Sequence, residues 1–118
     1  MTRVESIIET VNTYSKHGWR LERVLLCPET RAELTNTQPE MLADVTLREA
    51  EVDALWFSRP SHAGRVAWEL RLVAATPYAL FETFEMDEAE EDREEVRREM
   101  EARLIDYAAR STVIPRPS

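Results

Sequence analysis

Residues Val52 to Glu85, VDALWFSRPSHAGRVAWELRLVAATPYALFETFE, form three extended apolar runs separated by two segments of turn-forming residues. Alternation at period two, punctuated in this way, is the pattern of an antiparallel meander. The stretch holds two of the three tryptophans and all three phenylalanines. So much aromatic surface in one sheet must be covered, and the flanking segments are expected to do the covering.

Pairing register decides which side chains share a face, because a slip of one residue moves every side chain to the other side. Setting Arg59 opposite Val66, across the loop Pro60-Ser61-His62-Ala63-Gly64-Arg65, places Phe57 against Trp68 and Leu55 against Leu70. Trp56 then projects the other way, opposite Glu69. The second hairpin turns through Ala74-Ala75-Thr76-Pro77. An odd loop there puts Tyr78, Leu80 and Phe84 on the face of Trp68 and Leu70, with Glu82 the one polar member. An even loop stacks Glu82 on Glu69 and is disfavoured, because like charges directly opposed destabilise a sheet.

The flanks read as follows. Thr2 to His17 carries a capping box, Thr2 with Glu5, and an apolar stripe of Val4, Ile7, Ile8, Val11 and Tyr14. Lys16 and His17 suit the negative end of the helix dipole, and Gly18 supplies a left-handed stop. Trp19 to Cys27 reads as a strand whose broken alternation predicts either burial on both faces or a bulge near Arg23. In 29–51, Pro39 with Met41, Leu42 and Val45 suggests a short helix, while Ala43 to Leu47 alternates as an edge strand would; helix is the preferred reading. Asp87 to Arg110 predicts a long helix with an Asp87–Glu90 capping box and an inward stripe of Val96, Met100, Leu104, Tyr107 and Ala108. Residues 111–118, with Pro115 and Pro117, read as a flexible tail, leaving 1–110 as one domain.

Charge excludes some partners. The net charge is −8, and residues Glu85 to Glu101 alone carry ten carboxylates against three arginines. Nucleic acid and anionic membranes need basic patches, so neither is an expected partner. No apolar run approaches the ~20 residues of a membrane span. A single cysteine, Cys27, and an N-terminus without a secretory apolar core suggest the cytoplasm.

The candidates for chemistry are few. Two histidines 45 positions apart and one cysteine make no zinc site, and the acidic run 87–92 lacks the spacing of a calcium loop. No metal or cofactor is expected. Phosphate cradles need glycines, and only Gly18 and Gly64 are present. Arg59 and Arg65 could hold a small anion, and His62 beside Ser61 could act as a base. Glu69 and Glu82 could work as an acid pair, but only in the even register. Cys27 and His17 have plain structural readings, in the core and at a helix end.

The fold expected is α+β: a single two-layer domain with an antiparallel sheet of four to five strands and the terminal helices packed on one face. Its element order resembles that of small sandwiches such as roadblock/longin-like adaptors and secretion-chaperone-like domains, a likeness of arrangement that implies protein contact and no chemistry. The outward aromatics Trp56 and Phe81 are the expected interaction residues. They would be covered by 29–51, by a second copy of the chain, or by another ligand or partner. The function expected is a non-catalytic cytoplasmic contact domain, homodimeric through the outer sheet face. The alternative is a small hydrolase or ligand-binding protein using the 58–65 loop with Glu69 or Glu82.

Overall fold

Helix α1 spans Arg3–Lys16 and begins on the expected capping box: Thr2 Oγ1 accepts from the Glu5 amide (3.1 Å), and the Thr2 amide donates to Glu5 Oε1 (2.9 Å). At its far end Gly18 takes φ +85°, and the amides of His17 and Trp19 both donate to the Tyr14 carbonyl. The computed structural model describes residues 2–111 of the chain. The expected tail, apart from Ser111 at the end of the last helix, lies outside them.

Strand β1, Arg20–Leu26, leads through helix α2, Pro28–Thr37, and a 3-10 turn, Pro39–Leu42, to strand β2, Thr46–Glu49. The meander follows as β3 (Ala54–Pro60), β4 (Val66–Leu72) and β5 (Tyr78–Phe84), and helix α3, Glu90–Ser111, closes the chain. The strands lie in the order β2-β1-β3-β4-β5, antiparallel except for the parallel pair β1–β2. The fold is α+β, in one unit, as the sequence suggests. Among the described residues, no helix is long and apolar enough to cross a membrane.

Several local expectations hold. A register shift falls between Leu21 and Arg23, and Leu80 pairs with Leu70, so the second hairpin has the odd loop. Segment 29–51 is richer than expected. Pro28 opens a helix that the sequence does not announce, the preferred helix at Pro39 is a single 3-10 turn ending at Leu42, and the edge strand read as the alternative at 43–47 is present only in part, β2 sharing Thr46 and Leu47 with it. Helix α3 starts two residues later than the Asp87–Glu90 box implies. Glu85 and Glu88 bond each other in a preceding turn, and the Ala89 carbonyl takes the first helical amide.

The first hairpin differs by one residue. Pro60 pairs with Val66, so Phe57 faces Glu69, and Trp56 shares a face with Leu70 and Trp68. The five-residue loop needs two consecutive left-handed residues, Ala63 (φ +56°) and Gly64 (φ +76°), and alanine gives no warning of such a conformation. Pro60 fits in the strand because Ser61, not Pro60, donates across the hairpin to Arg65, and β1 has ended at the Arg20–Ser58 pair.

That slip redistributes the layers. Leu55, Phe57, Val24 and Leu26 pack with Val4 and Ile7 of α1 and Leu34 of α2 on one face. Trp56, Ala54, Leu25, Leu70 and Leu72 pack with Met100, Leu104 and Ala108 of α3 on the other. The terminal helices therefore cover opposite faces, not one, and the sheet is the middle of three layers. Trp56 is fully buried beneath α3 with its Nε1 donating to Glu101 (2.8 Å), which removes it from any outer surface.

Helix α3 is held by ion pairs as well as by apolar packing. Glu94 bonds both Arg23 (2.8 and 3.1 Å) and Arg97 (2.8 Å), and Glu101 bonds Arg48. Arg97 is 2% exposed, lies 4.1 Å over Trp68, and also bonds Glu90. A guanidinium can be buried here because two carboxylates and the electron-rich indole face receive it.

On the opposite side the buried carboxylate of Asp53, 3% exposed, accepts from the Cys27 amide (2.9 Å), Thr30 Oγ1 (2.9 Å) and Arg3 (3.2 Å). Cys27 is the N-cap of α2 and makes no side-chain cap, so Asp53, just ahead of β3, holds the start of that helix through the Cys27 amide and the Thr30 hydroxyl.

Replacing Asp53 with Ala leaves those donors unmatched and should cost about 3 kcal/mol in urea unfolding. A loss under about 1 kcal/mol would show the cap to be dispensable.

A second expectation concerns acid. Arg23, and then Arg97, hold the Glu94 carboxyl down to about 2, and Arg97 lowers Glu90 as well. A depressed carboxylate contributes stability above its unfolded pKa, near 4.5, and loses it as pH falls from there towards 2. Glu94→Gln should therefore be less stable at pH 7 and show a flatter fall in Tm between those limits. Parallel Tm profiles for the two proteins would contradict this.

Candidate interaction surface

Directly paired strand residues project to one side, so the rows Phe57–Glu69–Phe81, Leu55–Arg71–Ala79 and Arg59–Ala67–Thr83 all lie on the α1 face. Helix α1 covers only the β1–β3 half of that face. Tyr14 reaches furthest, its ring stacked on Phe57 at 4.1 Å and 14°. Beyond it the face opens towards β5, where Ala79 is exposed and Phe81 is 58% exposed, while Ala67 of β4 is buried and Glu69 and Arg71 are half-buried.

The boundary between the covered and open halves is a cluster of aromatic and charged groups. Tyr14 donates its hydroxyl to Glu69 and accepts from Arg71 (3.4 Å). Burial, reinforced by the Glu69 bond, pushes the Tyr14 phenol above its usual range. Trp19 stands edge-on to Tyr14 (6.0 Å) and to Phe81 (6.3 Å). Arg59 lies 5.0 Å over the Trp19 ring and donates to the His17 carbonyl (2.8 Å). Trp19 is placed there by the end of α1, whose Tyr14 carbonyl receives its amide (3.0 Å). The result is a ridge of rings, Tyr14–Trp19–Phe81, ending at the outermost strand.

The remaining site candidates from the sequence are scattered. Glu69 and Glu82 lie on opposite faces of the sheet, Glu82 being paired with Trp68 on the α3 side, so they form no acid pair. Arg59 is committed to Trp19 and His17, and Arg65 to Glu85 (3.0 Å), so the loop gathers no free pair of cations. His62 sits exposed in the 3-10 turn His62–Gly64, away from Glu69. His17 bonds the Thr13 carbonyl through Nδ1 (2.9 Å), as a helix-end residue does. The Cys27 thiol is raised by burial and then by Asp53, which suits a structural cysteine and not a nucleophile. Among the described residues no group of three His, Cys, Asp or Glu side chains is placed to hold a metal.

A groove of about 560 Å³ opens beside Asp53, lined by Arg3, Cys27, Thr30 and Thr76 among others. Its one buried anion is already saturated by Arg3, Thr30 and the Cys27 amide, so the groove has the character of a seam between helix and strand ends.

The sequence places Phe81 on an outer face, and the structure leaves it 58% exposed; the sequence does not single out Trp19, Tyr14 or Arg71 as its neighbours. Gly18 was the available signal, since a stop there returns the next residue to the last helical turn. Glu69 and Arg71 could be placed beside Tyr14 only with the correct register of β3 on β4.

Comparison with protein-family models, curated proteins and solved structures found no match to this chain. The likeness in element order to adaptor and chaperone sandwiches gains no support from them.

Tyr14→Phe removes the hydroxyl that links α1 to Glu69 and Arg71 of β4 and should lower stability by about 1 kcal/mol. Chemical denaturation measures it, and an unchanged midpoint would mean that the ring alone anchors the helix.

Proposed function

We propose that this chain is a non-catalytic contact domain of the cell interior, acting by binding protein through the open β4–β5 half of the α1 face. One observation carries the reading: Phe81, 58% exposed, continues the aromatic ridge of Tyr14 and Trp19 onto the outermost strand. Exposed aromatic surface of this kind marks interaction sites on proteins that are otherwise polar outside. Among the described residues, Phe81 and Met86 are the large apolar side chains left exposed, and Met86 lies against Gly64 at the hairpin turn. The arginines beside the ridge, Arg59 and Arg71, each lie over one of its rings, Trp19 and Tyr14 respectively. They hold the rings in place, and rigid aromatic anchors lose little entropy on binding. The unpaired thiol of Cys27, kept protonated in a structural setting, suits a reducing compartment.

A photo-reactive benzoyl-phenylalanine at position 81, in the full chain expressed in cells, tests the reading. A discrete protein adduct is expected from 81 and none from the exposed position 98 on α3. No adduct at 81, or equal adducts at both, would remove the basis for a contact surface here.

A further inference from the structure

We propose that β5 is the strand through which two copies of this chain join, edge to edge and antiparallel, about a two-fold axis at Phe81. This rests on the contact-domain reading and commits it to one partner.

The two edges of the sheet are built differently. Edge β2 has four residues, Thr46–Glu49, of which Arg48 and Glu49 are charged, and Arg48 is tied to Glu101 of α3. Edge β5 has seven residues, pairs with β4 at every one without a bulge, and has no second neighbour among the described residues. It contains no proline and one charged side chain, Glu82. Proteins that stay monomeric blunt such edges with bulges, prolines or charges, because open N–H and C=O groups accept another strand. β2 is blunted and β5 is not.

A second copy is favoured as the occupant because β5 matches itself. With the axis at Phe81, Tyr78 pairs with Phe84, Ala79 with Thr83, Leu80 with Glu82, and Phe81 with its own counterpart. All seven positions are used, and the two Glu82 carboxylates are kept apart. Moving the axis to Glu82 sets those carboxylates face to face, a like-charge opposition that destabilises a sheet. Moving it to Leu80 leaves Thr83 and Phe84 unpaired. Each copy carries a net charge of −8, so contact must occur where charge is sparse, and the β5 edge is such a place. Isologous two-fold pairing is also the commonest way that a chain assembles with itself. The outcome is one continuous sheet of ten strands, twice the five of a single copy. The two Phe81 rings meet at its centre, each backed by a Trp19.

The test uses the full chain in solution. Light scattering at high micromolar concentration should give twice 13.7 kDa. Phe81→Asp, which sets two carboxylates against each other at the axis, should return the mass to one copy without changing the circular dichroism spectrum. In a Cys27→Ser background, Phe81→Cys should cross-link into dimers on oxidation, and Thr83→Cys should do so at least tenfold more slowly, because Thr83 faces Ala79. A single-copy mass for the unmodified chain, or a dimer that Phe81→Asp leaves intact, would overturn the proposal. Should position 81 photo-cross-link to a different protein while the purified chain stays monomeric, the contact-domain reading stands and the second copy is wrong. Should it cross-link to nothing, both fail.

Discussion

Strand β3, the middle strand of the sheet, contributes with its neighbour β1 to both cores, and the offset of its pairing with β4 decides which face the aromatics beyond it occupy. From Ala54 to Ser58 every residue is buried, alternating between the α1 side and the α3 side. A strand buried on both faces needs a cover on each, which is why the helices at the two ends of the chain separate to opposite sides. Phe57 then becomes the floor beneath Tyr14, and Trp56 the floor beneath Glu101. Helix α3 carries Glu101, which receives the Trp56 N–H, and helix α1 carries Tyr14, whose ring stacks on Phe57 while its hydroxyl donates to Glu69. Full burial of apolar area on both sides, at ~25 cal/mol per Å², outweighs the desolvation of the few polar groups taken in with it.

Those polar groups are arranged along a single line of α3. Glu90, Glu94, Arg97 and Glu101 follow at spacings of four, three and four, so they lie on the sheet side of the helix together with Met100 and Leu104. Each meets a partner, either within the helix or from β1 and β2. The acidic stretch that looks from composition like a solvated surface is therefore partly an internal fastening. Its outer carboxylates, Glu91, Glu95 and Glu99, remain exposed and keep that side of the molecule negative.

The α1 side is built with fewer charges and covers less area. A helix of fourteen residues spans β1 and β3 and stops, at Gly18, before it can reach β4 and β5. The α3 side, with 22 helical residues, extends as far as β5, where Tyr107 stacks on Tyr78 at 3.9 Å. The open half of the sheet follows from this inequality in helix length. What lies there, a ridge of rings beside an unblunted strand edge, is the surface on which the functional proposal rests.

Local signals in the chain were sufficient for several elements. The Thr2–Glu5 box, the Gly18 stop, the bulge near Arg23, the odd second hairpin and the buried stripe of α3 each depend on residues within a few positions of one another. Their chemistry is complete before the chain folds. Two other matters were not legible in this way. The first hairpin turns on a left-handed Ala63, a conformation that alanine rarely adopts and that the closed strand pair enforces. The helix Pro28–Thr37 has no side-chain cap of its own and depends on Asp53, 26 residues after Cys27. Consequently the identity of the exposed aromatic was half visible: Phe81 was placed outside and Trp56 wrongly beside it. The sequence by itself determined which segments are helix and strand at the two ends and in the meander. The tertiary structure alone decided which face each aromatic occupies, because a strand's side-chain period is two and a shift of one residue inverts it.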